Sequence, residues 1–296
     1  MFRIGILGSD NSHALAFSKL CNIPDDNGQY LYDDVRIVAI YGNDDDPAHT
    51  KQVAEEGKIP LIAKTPNEFY GNVDAVMVVY RRGSLHIKDI LPFVEKGYPV
   101  WIDKPIAVSI EDVKALRKAV EKNNTLITGG STLKYNYDIL TLQGQAQDKE
   151  LLGDVKGGSL NFPGCLSNEY DGLFFYGSHL CEMCLSVFGY DIKSIYASAI
   201  NDGNIAVIAE YEDKQVMLQF FDAVNQYFVT VHGTKGSVTR QLDISIIYKL
   251  GFEQFVKMLR SQRMPLSFDE LVKPVYMLNA IEQSIKKGVK IEIDSL

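Results

Sequence analysis

Cysteine is scarce in this sequence: Cys21, Cys165, Cys181 and Cys184 are four among 296 residues. That is too few for a disulfide scaffold, and it fits a reducing compartment. Positive charge is in deficit as well, with 30 Lys and Arg against 38 Asp and Glu for a net charge of −8. A phosphate-tracking nucleic-acid surface would have to be a local exception to an acidic whole, so no nucleic-acid partner is expected. No apolar run approaches a membrane span. The opening MFRIGILGS lacks the basic head, apolar middle and cleavage site of a secretory signal. Also missing are the Gly-x-Ser-x-Gly elbow of serine hydrolases, the Walker lysine, any internal repeat and any low-complexity linker. A soluble, cytoplasmic protein without a membrane partner is therefore expected. What is present is a 46% hydrophobic composition, enough for sizeable cores, in a length that suggests two domains.

The first part of the chain alternates short apolar runs with helix-period segments. Strands are expected at Phe2 to Leu7, Val35 to Tyr41, Val73 to Val79, Pro99 to Ile102 and Thr125 to Thr128. Between them, Ile87, Ile90, Leu91 and Val94 fall on one helical face, and Val113, Leu116 and Val120 follow a capping signal at Ser109 to Asp112. This grammar gives an α/β fold, a doubly wound parallel sheet over residues 1–125 whose ligands bind beyond the carboxyl ends of the strands. Residues 126–296 read as an α+β domain with a large, mainly antiparallel sheet. Its strands are Val155 to Phe162, Ser194 to Ile200, Ile205 to Tyr211, Gln215 to Phe221 and Tyr227 to His232, with hairpin turns at Asn201 to Asn204 and Glu212 to Lys214. One helix is expected around His179 to Phe188. Two late ones follow, striped by Phe252, Phe255, Val256 and Leu259, then by Leu271, Val275, Leu278 and Ile285 up to Gly288.

The turn after the first strand, Gly8-Ser9-Asp10-Asn11-Ser12-His13, stands where a dinucleotide-binding fold cradles its pyrophosphate. Against the Gly-x-Gly-x-x-Gly pattern, Asp10 replaces the second glycine and His13 the third. A carboxylate there would repel a diphosphate unless Asp10 turns away to cap the helix with Asn11 or Ser12. Both a nucleotide cradle and a plain strand-to-helix turn fit the residues. The second strand ends Tyr41-Gly42-Asn43-Asp44-Asp45-Asp46, where such folds place an acid on the adenosine ribose. Acids without a nearby arginine favour NAD over NADP, although an acidic loop that is merely solvated fits equally.

The fourth strand ends Trp101-Ile102-Asp103-Lys104-Pro105. The proline keeps Lys104 extended at the sheet's carboxyl edge, where desolvation could lower its proton affinity or make it a fixed donor to a hydroxyl. The run from Val73 through Leu116, VDAVMVVYRRGSLHIKDILPFVEKGYPVWIDKPIAVSIEDVKAL, resembles the third-to-fourth strand region of the glucose–fructose oxidoreductase, inositol dehydrogenase and rhizopine-catabolism oxidoreductase family. The family's Glu-Lys-Pro stands here as Asp103-Lys104-Pro105. The segments GGSTLKY, Gly129 to Tyr135, and HGTKGSV, His232 to Val238, resemble the opening and a late-strand turn of that family's second domain.

The resemblance implies an NAD-dependent dehydrogenase with cofactor contacts from Gly8, Ser9, Asp10, Asn11, Ser12 and His13. Further contacts would come from Asn43, Asp44, Arg82, His86 and Lys104, with Arg82 able to recognise an anionic group and His86 to brace the following helix. In FFYGSHLCEMCLSVFG, His179 matches the family's catalytic histidine, with Gly177 and Ser178 leaving room for a ligand. The family's Asp-x-x-x-His-x-x-Asp setting is broken by Phe175 and Glu182, so Glu182 or Asp171 would have to orient the imidazole. By the same resemblance His179 takes the hydroxyl proton, Lys104 polarises the oxygen, Asp103 orients Lys104, and Lys134, Tyr135 and Tyr176 border the substrate.

Cys181 and Cys184, three apart on a helix among Leu180, Leu185 and Val187, read as small core residues, and no metal site is expected. The activity this implies is hydride exchange between NAD and a secondary alcohol of a sugar, inositol or related polyol, in a homodimer or homotetramer that uses the outer face of the antiparallel sheet. Two rival readings remain: a redox-neutral glycosidase using bound NAD, and a sensor that kept the fold and lost the chemistry.

Overall fold

The computed structural model describes residues 1–42 and 46–296. The chain divides into two compact units. The first comprises Met1–Ala107, Glu111–Gly130 and Tyr248–Phe268, and the second Val108–Ile110, Ser131–Ile247 and Asp269–Leu296.

In the first unit, β1 (Phe2–Leu7), β2 (Val35–Tyr41), β3 (Leu61–Ile62), β4 (Ala75–Val78), β5 (Val100–Asp103) and β6 (Ile127–Gly130) form one six-stranded sheet in the order β3-β2-β1-β4-β5-β6. Every neighbouring pair is parallel. The helices α1 (Ser12–Asn22), α2 (Pro47–Glu56), α3 (His86–Val94) and α4 (Ile110–Asn123) alternate with these strands. β4, β5 and β6 are buried at every position, as expected of a sheet covered on both faces, and this is why they appear in the sequence as apolar runs without alternation. Helix starts are chemically marked: Asn11 caps α1, Asp46 caps α2 just ahead of Pro47, and Glu111 and Asp112 sit in the first turn of α4. The doubly wound parallel sheet read from the sequence is present; β3, two residues long, was not foreseen.

The second unit contains α5 (Tyr137–Gln147), β7 (Val155–Phe162), α6 (Leu173–Phe188), β8 (Ser194–Asn201), β9 (Asn204–Glu210), β10 (Gln215–Phe221), β11 (Phe228–Gly233) and β12 (Ser237–Gln241). After these the chain forms α7 (Ile247–Ser261), nearly all of which belongs to the first unit, and then α8 (Phe268–Lys287) and β13 (Ile291–Glu292). The sheet runs β12-β11-β7-β10-β9-β8-β13 and is antiparallel throughout except for the parallel pair β7 and β10. Both expected hairpins are present, joining β8 to β9 and β9 to β10. β12 and β13 extend the sheet beyond the strands expected, one at each edge.

α6 starts six residues earlier than the helix expected at His179. It is buried from Gly177 to Phe188, so it shows no single apolar stripe. Its Gly177 faces Leu278 of α8, whose Cδ2 would lie 2.7 Å from an added Cβ. The small residue therefore serves helix packing; the expectation that it makes room for a ligand is corrected. Among the described residues no helix is long and apolar enough to cross a membrane.

α7 supplies the first unit with Phe252, Phe255, Val256, Met258 and Leu259. All five are buried in the cluster that holds Phe17 and Trp101, and Phe252 stacks on Phe17 at 5.5 Å.

Candidate active site

The carboxyl ends of β1, β4 and β5 lie side by side, because these strands are parallel neighbours. The turn after β1 begins at Gly8, whose φ of +105° belongs to the left-handed region. An added Cβ there would come within 2.9 Å of the Tyr80 amide nitrogen, so only glycine fits. Ser9 is buried and its hydroxyl bonds the Thr50 hydroxyl at 2.8 Å, tying the turn to α2. Asp10 does turn aside, though not onto the helix: its carboxylate accepts from the Arg81 amide at 3.1 Å. The cap is Asn11, whose Oδ1 accepts from the His13 amide at 3.3 Å. Ser12 is exposed beside it, its hydroxyl 3.5 Å from Asn11 Oδ1.

The His13 ring leaves the path of a phosphate altogether. It packs edge-on against Phe17 and Tyr248, and its Nδ1 lies 2.7 Å from Asp103 Oδ2. The third-glycine position is thus filled by a side chain that folds into the unit's interior. One polar atom of the turn remains unanswered: the buried Nδ2 of Asn11 has no hydrogen-bond partner. A donor stranded beside the amides of a helix N-terminus is what an anionic oxygen would satisfy, so these residues fit a dinucleotide's phosphates. Asn43 and Asp44, expected at the ribose, lie outside the described residues.

Asp103 ends β5 fully buried, taking hydrogen bonds from His13 and, at 3.4 Å, from Trp101 Nε1. Burial by itself would raise its pKa. Charge and hydrogen bonding from His13, with the charges of Lys104 and His86, outweigh that and hold it below the ordinary carboxylate value. Lys104 is 3% exposed. Desolvation, reinforced by Arg81, lowers its pKa to about 8, against the opposing charges of Asp103 and Asp10. Asp103 therefore acts on Lys104 through its field, while its hydrogen bonds go to His13 and Trp101. His86 is fully buried, and its two ring nitrogens lie 2.7 Å from the Pro105 carbonyl and 2.9 Å from the Tyr80 carbonyl. Burial pulls its pKa down, opposed first by Asp103 and then by those carbonyls. Arg82 is exposed at the start of a short turn, Gly83–Leu85.

In the second unit, His179 lies one turn into α6 and is 8% exposed. Its Nδ1 meets the Ser131 hydroxyl at 2.6 Å. Glu182, proposed from sequence as the orienting carboxylate, instead accepts from the Ser131 amide through Oε1 at 2.7 Å and from the Lys134 ammonium through Oε2 at 2.5 Å. It supports the histidine at one remove, and Lys134, itself buried, is committed to that carboxylate. Ser131 was not anticipated. It lies 48 residues before His179, and a lone serine after Gly129 and Gly130 carries no signal of its role. Phe162, Tyr176 and Tyr227 form an aromatic group beside His179: Phe162 lies 5.2 Å from the imidazole and 4.6 Å from Tyr227, while Tyr176, 41% exposed, lies 6.3 Å from the imidazole. Tyr135 carries the Lys134 ammonium over its ring at 5.3 Å. Cys181 and Cys184 are fully buried, as read from sequence; burial pushes both thiols up, Cys184 to about 12.

Residues 2–131 match a family described as oxidoreductases with an NAD-binding Rossmann fold. That part of the chain is similar to the glucose–fructose oxidoreductase, inositol dehydrogenase and rhizopine-catabolism family. Over those residues the chain is similar to NAD-binding oxidoreductases. Solved structures share the fold over nearly the full length. A scyllo-inositol dehydrogenase from Lactobacillus casei with bound NAD(H) and scyllo-inositol is 14% identical, with a TM-score of 0.84, covering 99% of each chain. A myo-inositol dehydrogenase from Corynebacterium glutamicum is 16% identical, with a TM-score of 0.80, covering 99% of this chain and 98% of that one. An oxidoreductase from Agrobacterium radiobacter in complex with NAD+, L-tartaric acid and magnesium is 13% identical, with a TM-score of 0.80, covering 99% of each chain. No curated protein matches the sequence.

Proposed function

We propose that this protein is an NAD-dependent dehydrogenase acting on a secondary alcohol of a sugar, inositol or related polyol. The observation that carries this reading is Lys104: an amine buried at the carboxyl end of β5, with its pKa lowered to about 8. A proton affinity so close to neutrality suits acid–base work on a hydroxyl. When bound, NAD supplies the two-electron acceptor, and Gly8, Ser9, Asn11 and the amides that open α1 would hold its phosphates. Arg82 and, as expected from sequence, Asn43 and Asp44 would complete that berth.

In the first unit Lys104 is the group assigned to proton transfer; in the second, His179 is the polar group assigned to the substrate. Asp103 keeps a negative charge beside the lysine. Phe162 and Tyr176 offer aromatic faces to the C–H face of a ring, while Lys134 and Tyr135 stand behind His179 through Glu182. Residues 1–125 would then be the cofactor domain and 126–296 the substrate and oligomerisation domain. The open face of the second sheet, where Tyr196, Met217 and Phe228 are exposed, is the surface assigned to a homodimer or homotetramer. A cytoplasmic location accords with the four free cysteines, of which Cys21, Cys181 and Cys184 are buried.

The test is a panel of inositols, sugars and sugar acids incubated with NAD+ or NADP+ and followed by nicotinamide absorbance. NADH formation with one of them supports the proposal. Tight NAD binding with glycoside cleavage and no net NADH would replace it with the redox-neutral glycosidase. No nucleotide binding in calorimetry would replace it with a sensor.

A further inference from the structure

We infer that Ser131 fixes His179 as the tautomer protonated on Nε2, so that the imidazole presents a hydrogen-bond donor, and not a base, to a ligand oxygen at that nitrogen. The roles rest on the dehydrogenase reading above; the tautomer rests on hydrogen bonding alone.

Ser131 is fully buried. Its hydroxyl oxygen accepts the Leu133 amide at 3.1 Å and lies 2.6 Å from His179 Nδ1. A hydroxyl carries one hydrogen, and here that hydrogen has His179 Nδ1 as its acceptor. Were Nδ1 protonated instead, the serine oxygen would receive two N–H groups, and its own hydrogen would point into protein with nothing to accept it. A buried donor left in that state costs about 1–3 kcal/mol, enough to leave the Nε2–H form dominant. The Leu133 amide holds the serine oxygen in place, while Glu182 Oε1 holds the Ser131 backbone amide at 2.7 Å and Glu182 Oε2 is in turn held by Lys134.

An ionised carboxylate at Nδ1 would accept only, and so would impose the opposite tautomer and free Nε2 as a base. In this chain the nearby carboxylate instead bonds the Ser131 backbone and Lys134, and a hydroxyl stands in the orienting position. The expectation that His179 takes the proton is thereby reversed. On the dehydrogenase reading, a substrate oxygen at this nitrogen would receive the His179 N–H as a hydrogen bond. Ser131 is a positioning residue in this scheme, acting through His179.

The tautomer itself is read without substrate. In protein labelled with 15N at histidine, a long-range nitrogen–proton correlation spectrum separates bare from protonated ring nitrogens. His179→Gln identifies the His179 signals among the five histidines. The expected spectrum shows His179 protonated at Nε2 and bare at Nδ1. Ser131→Ala should mix the tautomers and lower kcat/KM about 10- to 100-fold, whereas Ser131→Thr, which keeps the hydroxyl, should restore both. An Nδ1-protonated His179 in the native protein, or a tautomer unchanged in Ser131→Ala, overturns the inference while leaving the dehydrogenase reading in place. An Nε2-protonated His179 in a protein that oxidises no polyol sustains the tautomer and removes the substrate reading.

Discussion

His13, from the turn after β1, and Asp103, from the end of β5, form a buried pair 90 residues apart in sequence, with Nδ1 2.7 Å from Oδ2. The position that a dinucleotide turn would fill with glycine is used here to anchor the carboxylate next to Lys104. Removing the imidazole leaves Asp103 inside the unit with the long hydrogen bond from Trp101. His13→Ala is expected to destabilise the protein by about 3–5 kcal/mol, read by denaturant unfolding. The pH dependence follows from the direction of the shift. Asp103 is held below its unfolded value of 3.8, so its contribution is complete above that value and is lost as pH falls through the lower folded value. His13→Ala should flatten that acid limb.

Asn11 combines two functions that a single substitution can separate. Asn11→Asp keeps the oxygen that caps α1 and removes the unpartnered Nδ2 donor, replacing it with negative charge. Thermal stability should change little. Affinity for NAD should fall about 10- to 100-fold, the equivalent of one hydrogen bond to a charged group, as measured by calorimetry.

Lys104 sets the pH response of turnover. Below about 8 it holds its proton and cannot accept another; above that value it is increasingly neutral. For alcohol oxidation kcat/KM should therefore climb with pH and level off past about 8, and carbonyl reduction should run the opposite way. Lys104→Arg, whose guanidinium keeps its proton at every accessible pH, should lose about 10²- to 10⁴-fold in kcat without unfolding. A pH–rate profile with no inflection near 8 would remove the lysine from proton transfer.

Lys134 and Glu182 test the support beneath His179. Lys134→Met would strand the Glu182 carboxylate in a site where it is 3% exposed, at an expected cost of about 3–5 kcal/mol. Lys134→Met with Glu182→Leu should recover much of that stability, since a matched apolar pair leaves no buried charge. Activity should not return with it, because the Ser131 amide has then lost its acceptor. Melting temperature and kcat/KM, measured on the single and double variants, separate the two effects.

The legible parts of this molecule were those written in local pattern. β1, β2, β7 and β10 appear at the residues their hydrophobic runs indicate, and Asp103-Lys104-Pro105 marked its strand end because a charged pair closing a buried strand is conspicuous. Less visible were features fixed by distant partners. β3 and β13 are two residues each, too short for any periodicity. α5 buries only Ile139 and Leu142 among its eleven residues, so its apolar face is faint. Ser131, Glu182 and Lys134 form one network from two segments of ordinary composition, and Gly177 resembled a ligand-side gap until Leu278 was placed against it.

The route of α7 has a bearing on how the chain matures. Its phenylalanines close the interior around Phe17 and Trp101, yet they are encoded more than a hundred residues after β6. A nascent polypeptide emerging from the ribosome would expose that greasy surface until residue 268 has been made. An isolated fragment ending at residue 130 would aggregate, whereas one fused to residues 248–268 has the material to become a free-standing nucleotide-binding module.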